Sequence, residues 1–92
     1  LTVDVEWDPG KAKLNLRKHG VDFVDAAVAL EDELALTVLD PESVEGKRFI
    51  SLCRDPGGQV LVVVYTWRGP NIRVISARGA TRREVRQYEE GA

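Results

Sequence analysis

The sequence predicts an α+β fold in which helices pack against an antiparallel sheet, and three observations lead there. Two short segments with helical apolar spacing occupy the first third of the chain. Four strand-like segments then follow, joined by tight turns that leave no room for crossover helices. A capping signature near the end starts one last helix. The expected order is β-α-α-β-β-β-β-α.

Each element has a local cause. Val3, Val5 and Trp7 alternate with Asp4 and Glu6, as in a half-buried opening strand. Asp8-Pro9 starts a helix, with Asp as N-cap and Pro preset for the first turn. That helix should run to about His19 and stop at Gly20, which tolerates a left-handed C-terminal position. Asp22 is a second N-cap, followed by Phe23, Ala26, Ala27 and Leu30, with Val24 and Val28 on an adjoining stripe. A helix so apolar around its circumference is expected to be well buried. Leu34–Leu39 reads as a strand, Asp40–Gly46 as a polar loop and Lys47–Arg54 as the next strand. Asp55-Pro56-Gly57-Gly58 is a hairpin turn. Val60–Arg68 is apolar on both faces, as a central strand should be. Gly69-Pro70-Asn71 turns the chain into Ile72–Arg78. Thr81 and Glu84 form a capping box for a helix reaching about Glu90, held by a thin apolar face of Val85 and Tyr88.

Size and composition narrow the function. The 92 residues make one domain, 1–92. A domain this short buries only about 60–65% of its unfolded surface, so a partner can add much to its stability. With 43% hydrophobic and 30% charged residues, the chain is ordinary for a folded protein and not disordered. The longest apolar run, Val60 to Tyr65, is far too short for a membrane span, and no membrane partner is expected. No basic-then-apolar leader is seen, and Cys53 is alone, so a reducing cytoplasmic location is expected. Cys53 and His19 are too few soft ligands for zinc, and neither metal nor cofactor is expected.

The net charge of -2 hides a segregation. Residues 22–46 hold eight acids and no Lys or Arg, whereas residues 47–88 hold nine Lys or Arg against Asp55 and Glu84. A basic face for a polyanion and an acidic face elsewhere are implied. Gly57-Gly58 lies in a hairpin and not in a phosphate loop, and no serine sits in a nucleophile-elbow pattern. The two helices around Gly20 superficially resemble a helix-turn-helix. The second carries Asp25 and Glu31 with almost no basic or amide side chains, so it would repel phosphate.

Several blocks match a known family. Glu6-Trp7-Asp8-Pro9 with Lys11, then Asn15, Lys18-His19-Gly20-Val21 and Phe23, resemble the first half of BrnT toxins. Arg48-Phe49, Tyr65-Thr66-Trp67-Arg68-Gly69, Ile72–Arg78, Ala80-Thr81-Arg82-Arg83-Glu84 and Tyr88 resemble the second half. The resemblance implies a RelE-like ribonuclease fold, cleavage of RNA, and inhibition by a small BrnA-type antitoxin, commonly as a toxin homodimer carrying two antitoxins. DNA would then be reached only through the antitoxin. Gly79 departs from the family, which often has Lys or Arg there, and one candidate phosphate contact goes with it.

The expected function is therefore a metal-independent endoribonuclease, with a non-catalytic RNA- or partner-binding module as the alternative. RNA carries its own nucleophile, the 2'-hydroxyl beside each phosphate. Arginine suits the crowded phosphorane because its planar fork donates two hydrogen bonds and stays charged. Arg68 and Arg78 are the first catalytic candidates. Strand alternation places Arg73 and Arg78 on opposite faces, so Arg73 joins the RNA-binding set with Lys18, Arg48 and Ser76. His19 alone has a side chain whose ordinary pKa suits proton transfer near neutrality, although its spacing from Ala12 and Leu16 equally suits packing or helix capping. Tyr88 either brings a phenol to the site or docks its helix. Arg82, Arg83 and Arg86 face RNA or an acidic antitoxin segment. Tyr65 and Trp67 share a strand face and could stack on a base or pack in the core.

Overall fold

The structure, a computed structural model, describes residues 3–91. Its elements are β1 (Val5–Glu6), α1 (Pro9–His19), α2 (Phe23–Ala29), β2 (Leu36–Leu39), β3 (Arg48–Arg54), β4 (Val60–Arg68), β5 (Asn71–Gly79) and α3 (Arg82–Glu90). A short 3-10 turn, Val44–Gly46, lies in the polar loop. The five strands form one sheet in the order β1-β5-β4-β3-β2. Strands β2 to β5 are an antiparallel meander, and β1 joins its far edge in parallel with β5. The sheet is thus mixed, because the chain passes through α1 and α2 before the meander begins. No helix among the described residues is long and apolar enough to cross a membrane.

The helix ends follow the local chemistry. Asp8 accepts a hydrogen bond from the Lys11 N–H at 2.9 Å, and Pro9 opens α1. Gly20 closes it at φ +72°, its N–H reaching the Leu16 carbonyl at 2.8 Å. Asp22 caps α2 through the Val24 N–H. Thr81 and Glu84 make the reciprocal capping box of α3.

Helices α1 and α2 cover one face of the sheet. Phe23, Ala26 and Ala29 pack there against Cys53, Leu61, Val63, Val74 and Ala77, and Trp7 meets Phe23 edge-on at 6.2 Å. The α2 helix is less buried than its composition predicts. Val24 and Val28 stay about half exposed (54% and 45%), since a seven-residue helix turns only one narrow stripe of small residues onto the sheet.

One buried polar side chain joins helix to sheet. Strand β1 pairs with β5 only at Ile72 and Arg73, so the β5 edge beyond lacks a strand neighbour. Asn15 fills the gap. Its amide donates to the Ala77 carbonyl at 2.8 Å and to the Val21 carbonyl at 3.0 Å, and its oxygen accepts the Ala77 N–H at 3.0 Å. A single side chain satisfies both backbone groups of a strand residue, as a neighbouring strand would. Asn15→Leu should therefore lower unfolding stability by about 3 kcal/mol, because buried backbone groups lose their partners. Asn15→Asp should be no better, since it turns carboxylate oxygens onto two carbonyls. Urea denaturation measures both, and a loss below about 1 kcal/mol would mean the amide is not what holds the edge.

Candidate active site

The other face of the sheet is open over much of its area, and a β-bulge decides what stands on it. Val64 pairs with Ser76 while Tyr65 pairs with Val74, so Ile75 is an extra residue without a partner. The side-chain parity of β5 shifts there. Ile72 and Val74 face the helices before the bulge, and Ala77 faces them after it. Arg73, Ser76 and Arg78 consequently share the open face. The expectation that Arg73 and Arg78 point opposite ways is overturned, because simple alternation holds only in an unbulged strand.

At one end of this face, register aligns Arg48 with Thr66, Thr66 with Arg73, and Arg73 with Glu6. Arg68, on the same face of β4, reaches the same carboxylate. Glu6 Oε1 lies 3.5 Å from Arg68 Nε and 3.8 Å from Arg73 Nη1. These separations exceed good hydrogen-bond lengths, and the side chains remain 59% (Arg68), 30% (Arg73) and 40% (Glu6) exposed. Such a pairing is loose, and an incoming phosphate can exchange into it. The exposed Lys47 ammonium lies 3.6 Å from Glu45. Ser43 holds the backbone entering β3, its hydroxyl accepting the Lys47 and Arg48 N–H groups at 2.9 and 2.8 Å. The tight turn this requires puts Glu45 at φ +66°.

Arg78 is differently placed. It lies in register with Val62, about 13 Å along β4 from the Thr66 row at ~3.3 Å per residue. Its guanidinium forms a two-pronged ion pair with Glu84, at 2.8 and 2.9 Å. Glu84 also accepts the Thr81 N–H, so Arg78 is tied to the first turn of α3.

Tyr88 is buried and donates its phenol to Asp32, in the α2–β2 connection. That hydrogen bond, reinforced by burial, raises the Tyr88 pKa. Burial alone would raise the Asp32 carboxyl, but hydrogen bonds from Tyr88 and from the Leu34 and Arg54 N–H groups hold it below its ordinary value. The Arg54 guanidinium lies 5.1 Å above the Tyr88 ring, at the end of β3 opposite Arg48 and about 20 Å from it. The phenol thus docks α3 far from the Arg68–Arg73 pair.

The remaining candidates divide similarly. His19 is exposed at the end of α1, not packed on an apolar stripe, and shares a depression with Lys18 beside the β5 edge. Ser76 borders that depression while standing on the open face. Arg82, Arg83 and Arg86 are exposed on α3. Tyr65 and Trp67 are on the helix side, in a row where Phe49 stacks on Tyr65 at 5.6 Å, so neither faces the arginines. Gly79 is in register with Leu61, also on the helix side, where an added Cβ would meet Gln59 Nε2 at 2.8 Å. A longer residue at 79 would not extend the arginine row.

Glu6, Lys47 and Thr66 were not picked out by sequence reasoning. Alternation with Val5 and Trp7 does signal that Glu6 faces away from the core. Its neighbours follow only from the parallel pairing of β1 with β5, which no local signal carries.

A family model described as "Ribonuclease toxin, BrnT, of type II toxin-antitoxin system" matches residues 7–84. Among solved structures, the chain is similar to the ribonuclease toxin BrnT of Brucella abortus. The TM-score is 0.69 at 26% identity, over 88% of this chain and 100% of that one. No curated protein matches the chain.

The Arg78–Glu84 pair makes a pH-dependent contribution to stability. Hydrogen bonding from Arg78 lowers the Glu84 carboxyl from 4.5 to about 2. A folded-state pKa below the unfolded one stabilises above the unfolded value and is lost as pH falls through the folded one. The melting-temperature advantage of wild type over Glu84→Gln should be full above pH 4.5 and shrink steadily toward pH 2. A gap that stays constant across that range would contradict the assignment.

Proposed function

The chain belongs to the BrnT family of ribonuclease toxins of type II toxin–antitoxin systems, and from that premise we propose that it cleaves RNA without a metal ion, on the open sheet face around Arg68, Arg73 and Glu6. The observation that carries this reading is the meeting of two guanidinium groups on one carboxylate oxygen, loosely enough for a phosphate to enter.

The chemistry follows from those groups. The 2'-hydroxyl oxygen attacks the adjacent phosphorus while the bond to the 5'-oxygen breaks, leaving a 2',3'-cyclic phosphate and a 5'-hydroxyl end. Glu6, released from the arginines by the incoming phosphate, accepts the 2'-hydroxyl proton. Arg68 and Arg73 donate to the nonbridging oxygens, where charge accumulates in the phosphorane. The departing 5'-oxygen takes a proton from solvent, which the open face admits. Arg48 and Lys47 hold the neighbouring phosphate, and Ser76 lies along the same strand. Arg78 and Tyr88 act through α3, which they fasten to the sheet. The α3 arginines add a long-range field for RNA or meet an acidic antitoxin segment.

The inhibited form in this reading is a toxin homodimer carrying two small antitoxins in the cytoplasm. The open face also carries Leu36, Val38, Ile50, Leu52, Val62 and Val64, which line a depression of about 440 Å³ beside α3. An antitoxin segment seated on those side chains would block RNA from the arginine row on the same face.

Arg73→Ala and Glu6→Gln should each slow single-turnover RNA cleavage by about 10²–10³-fold, the ~3–4 kcal/mol that one well-placed transition-state contact supplies. Glu6→Gln should retain RNA binding. Arg78→Ala should show a lower melting temperature first, with a smaller loss of rate. Cleavage should persist in EDTA and leave cyclic phosphate ends. RNA retention by the wild type with no cleavage would instead favour the binding-module reading.

A further inference from the structure

Ile75, the residue extruded by the bulge, is a wall shared by two depressions. One, of about 180 Å³, is lined by Lys47, Arg48 and Thr66 beside the arginine row. The other, of about 430 Å³, lies past the end of β1, between the β5 edge and α1, and is lined by Lys11, Leu14, Arg17, Lys18 and His19. The first has room for a phosphate. The second falls in the ~300–1,000 Å³ range of small-ligand sites and has room for a base and sugar.

Folding does not account for the larger depression. Leu14 is 61% exposed, on the rim of a pocket whose other wall is Ile75. An apolar pair framed by Lys11, Lys18 and Arg17 is the pattern of a site that takes a flat, weakly polar ring with an anionic tail. Ile75 is two residues from Arg73, about 7 Å of extended strand, which is of the order of one nucleotide step.

We infer that the α1 depression is a subsite for a nucleotide flanking the scissile phosphate of single-stranded RNA. The base lies between Leu14 and Ile75, and Lys11 and Lys18 meet the phosphates on either side of it. His19 closes the end of the pocket and contacts the sugar or base edge. This inference rests on the RNA-cleavage reading of the Arg68–Arg73 face, and it gives the substrate a direction across β5.

The test uses a fluorescein-labelled, fully 2'-O-methylated RNA decamer, which cannot be cleaved, with anisotropy titrations over a salt series. The Lys11→Ala/Lys18→Ala double variant should bind about tenfold more weakly. Its log Kd against log salt slope should fall by about 1.4, two single-strand phosphate contacts at ~0.7 each. Leu14→Asp should also weaken binding. Lys13→Ala, an exposed α1 lysine outside the pocket, should match wild type. These positions are exposed, so circular dichroism should show unchanged folding.

Affinity and slope within error of wild type in the double variant overturn the subsite, provided Arg73→Ala slows cleavage of unmodified RNA by the expected ~10²–10³-fold. An effect of the double variant on antitoxin affinity alone overturns it too, and assigns the pocket to a protein partner. If Arg73→Ala cleaves as wild type does, the reading beneath the inference fails instead.

Discussion

The architecture depends on one buried amide. A sheet edge next to a short strand must be blunted, and here Asn15 does so with three hydrogen bonds made by a single side chain 7% exposed. Because the partner is a helical residue, the same bonds fix α1 beside β5 and anchor Val21 at the start of the α2 connection. An apolar residue would pack there equally well but leave Ala77 unsatisfied, and a second strand would bury the β5 edge. The amide keeps that edge covered at one point and open beside it. The α1 cations therefore come to lie next to the arginine face.

The bulge at Ile75 is the second constraint, and it acts two residues beyond Arg73. Without it, β5 could not bury Val74 and Ala77 on the helix side while presenting both Arg73 and Arg78 to the open face. The gain is that both arginines stand on one surface of a strand that is otherwise core. The cost is one unpaired residue in the ladder, placed where the sheet meets α1.

Much of this was legible in the sequence, and the rest was not for definite reasons. Helix boundaries came through because Asp8, Gly20, Asp22, Thr81 and Glu84 act on groups within a few residues of themselves. The hairpins came through because Asp55–Gly58 and Gly69–Asn71 are local turn chemistry. The parallel pairing of Glu6 with Arg73 joins positions far apart in the chain, with no turn between them to announce it. The bulge left no signal either: Ile75 is an ordinary strand residue, and alternation then set Arg78 on the wrong face relative to Arg73. Asn15 stood out only within the family-like blocks, because the Ala77 backbone groups it bonds are distant in the chain. For the site, the residue types were legible, but their commitments were not. Whether an arginine is held or available depends on the acid opposite it.

That difference separates the arginines of the open face. Arg78 and Arg73 are on one strand and one surface, and each faces a glutamate. Arg78 meets Glu84 through two hydrogen bonds, and Glu84 is itself held by the Thr81 N–H, so removing this arginine strands an acid that caps a helix. Arg73 shares Glu6 with Arg68 at distances too long for either to be bonded well. A carboxylate between two cations keeps them from repelling each other in the empty site, and it is the group a phosphate would displace. In the proposed reaction, the displaced carboxylate then stays beside the bound phosphate as the proton acceptor. In that proposal one acid serves the free protein as a counter-ion and the complex as a base, a dual role that a tight pair such as Arg78–Glu84 cannot provide.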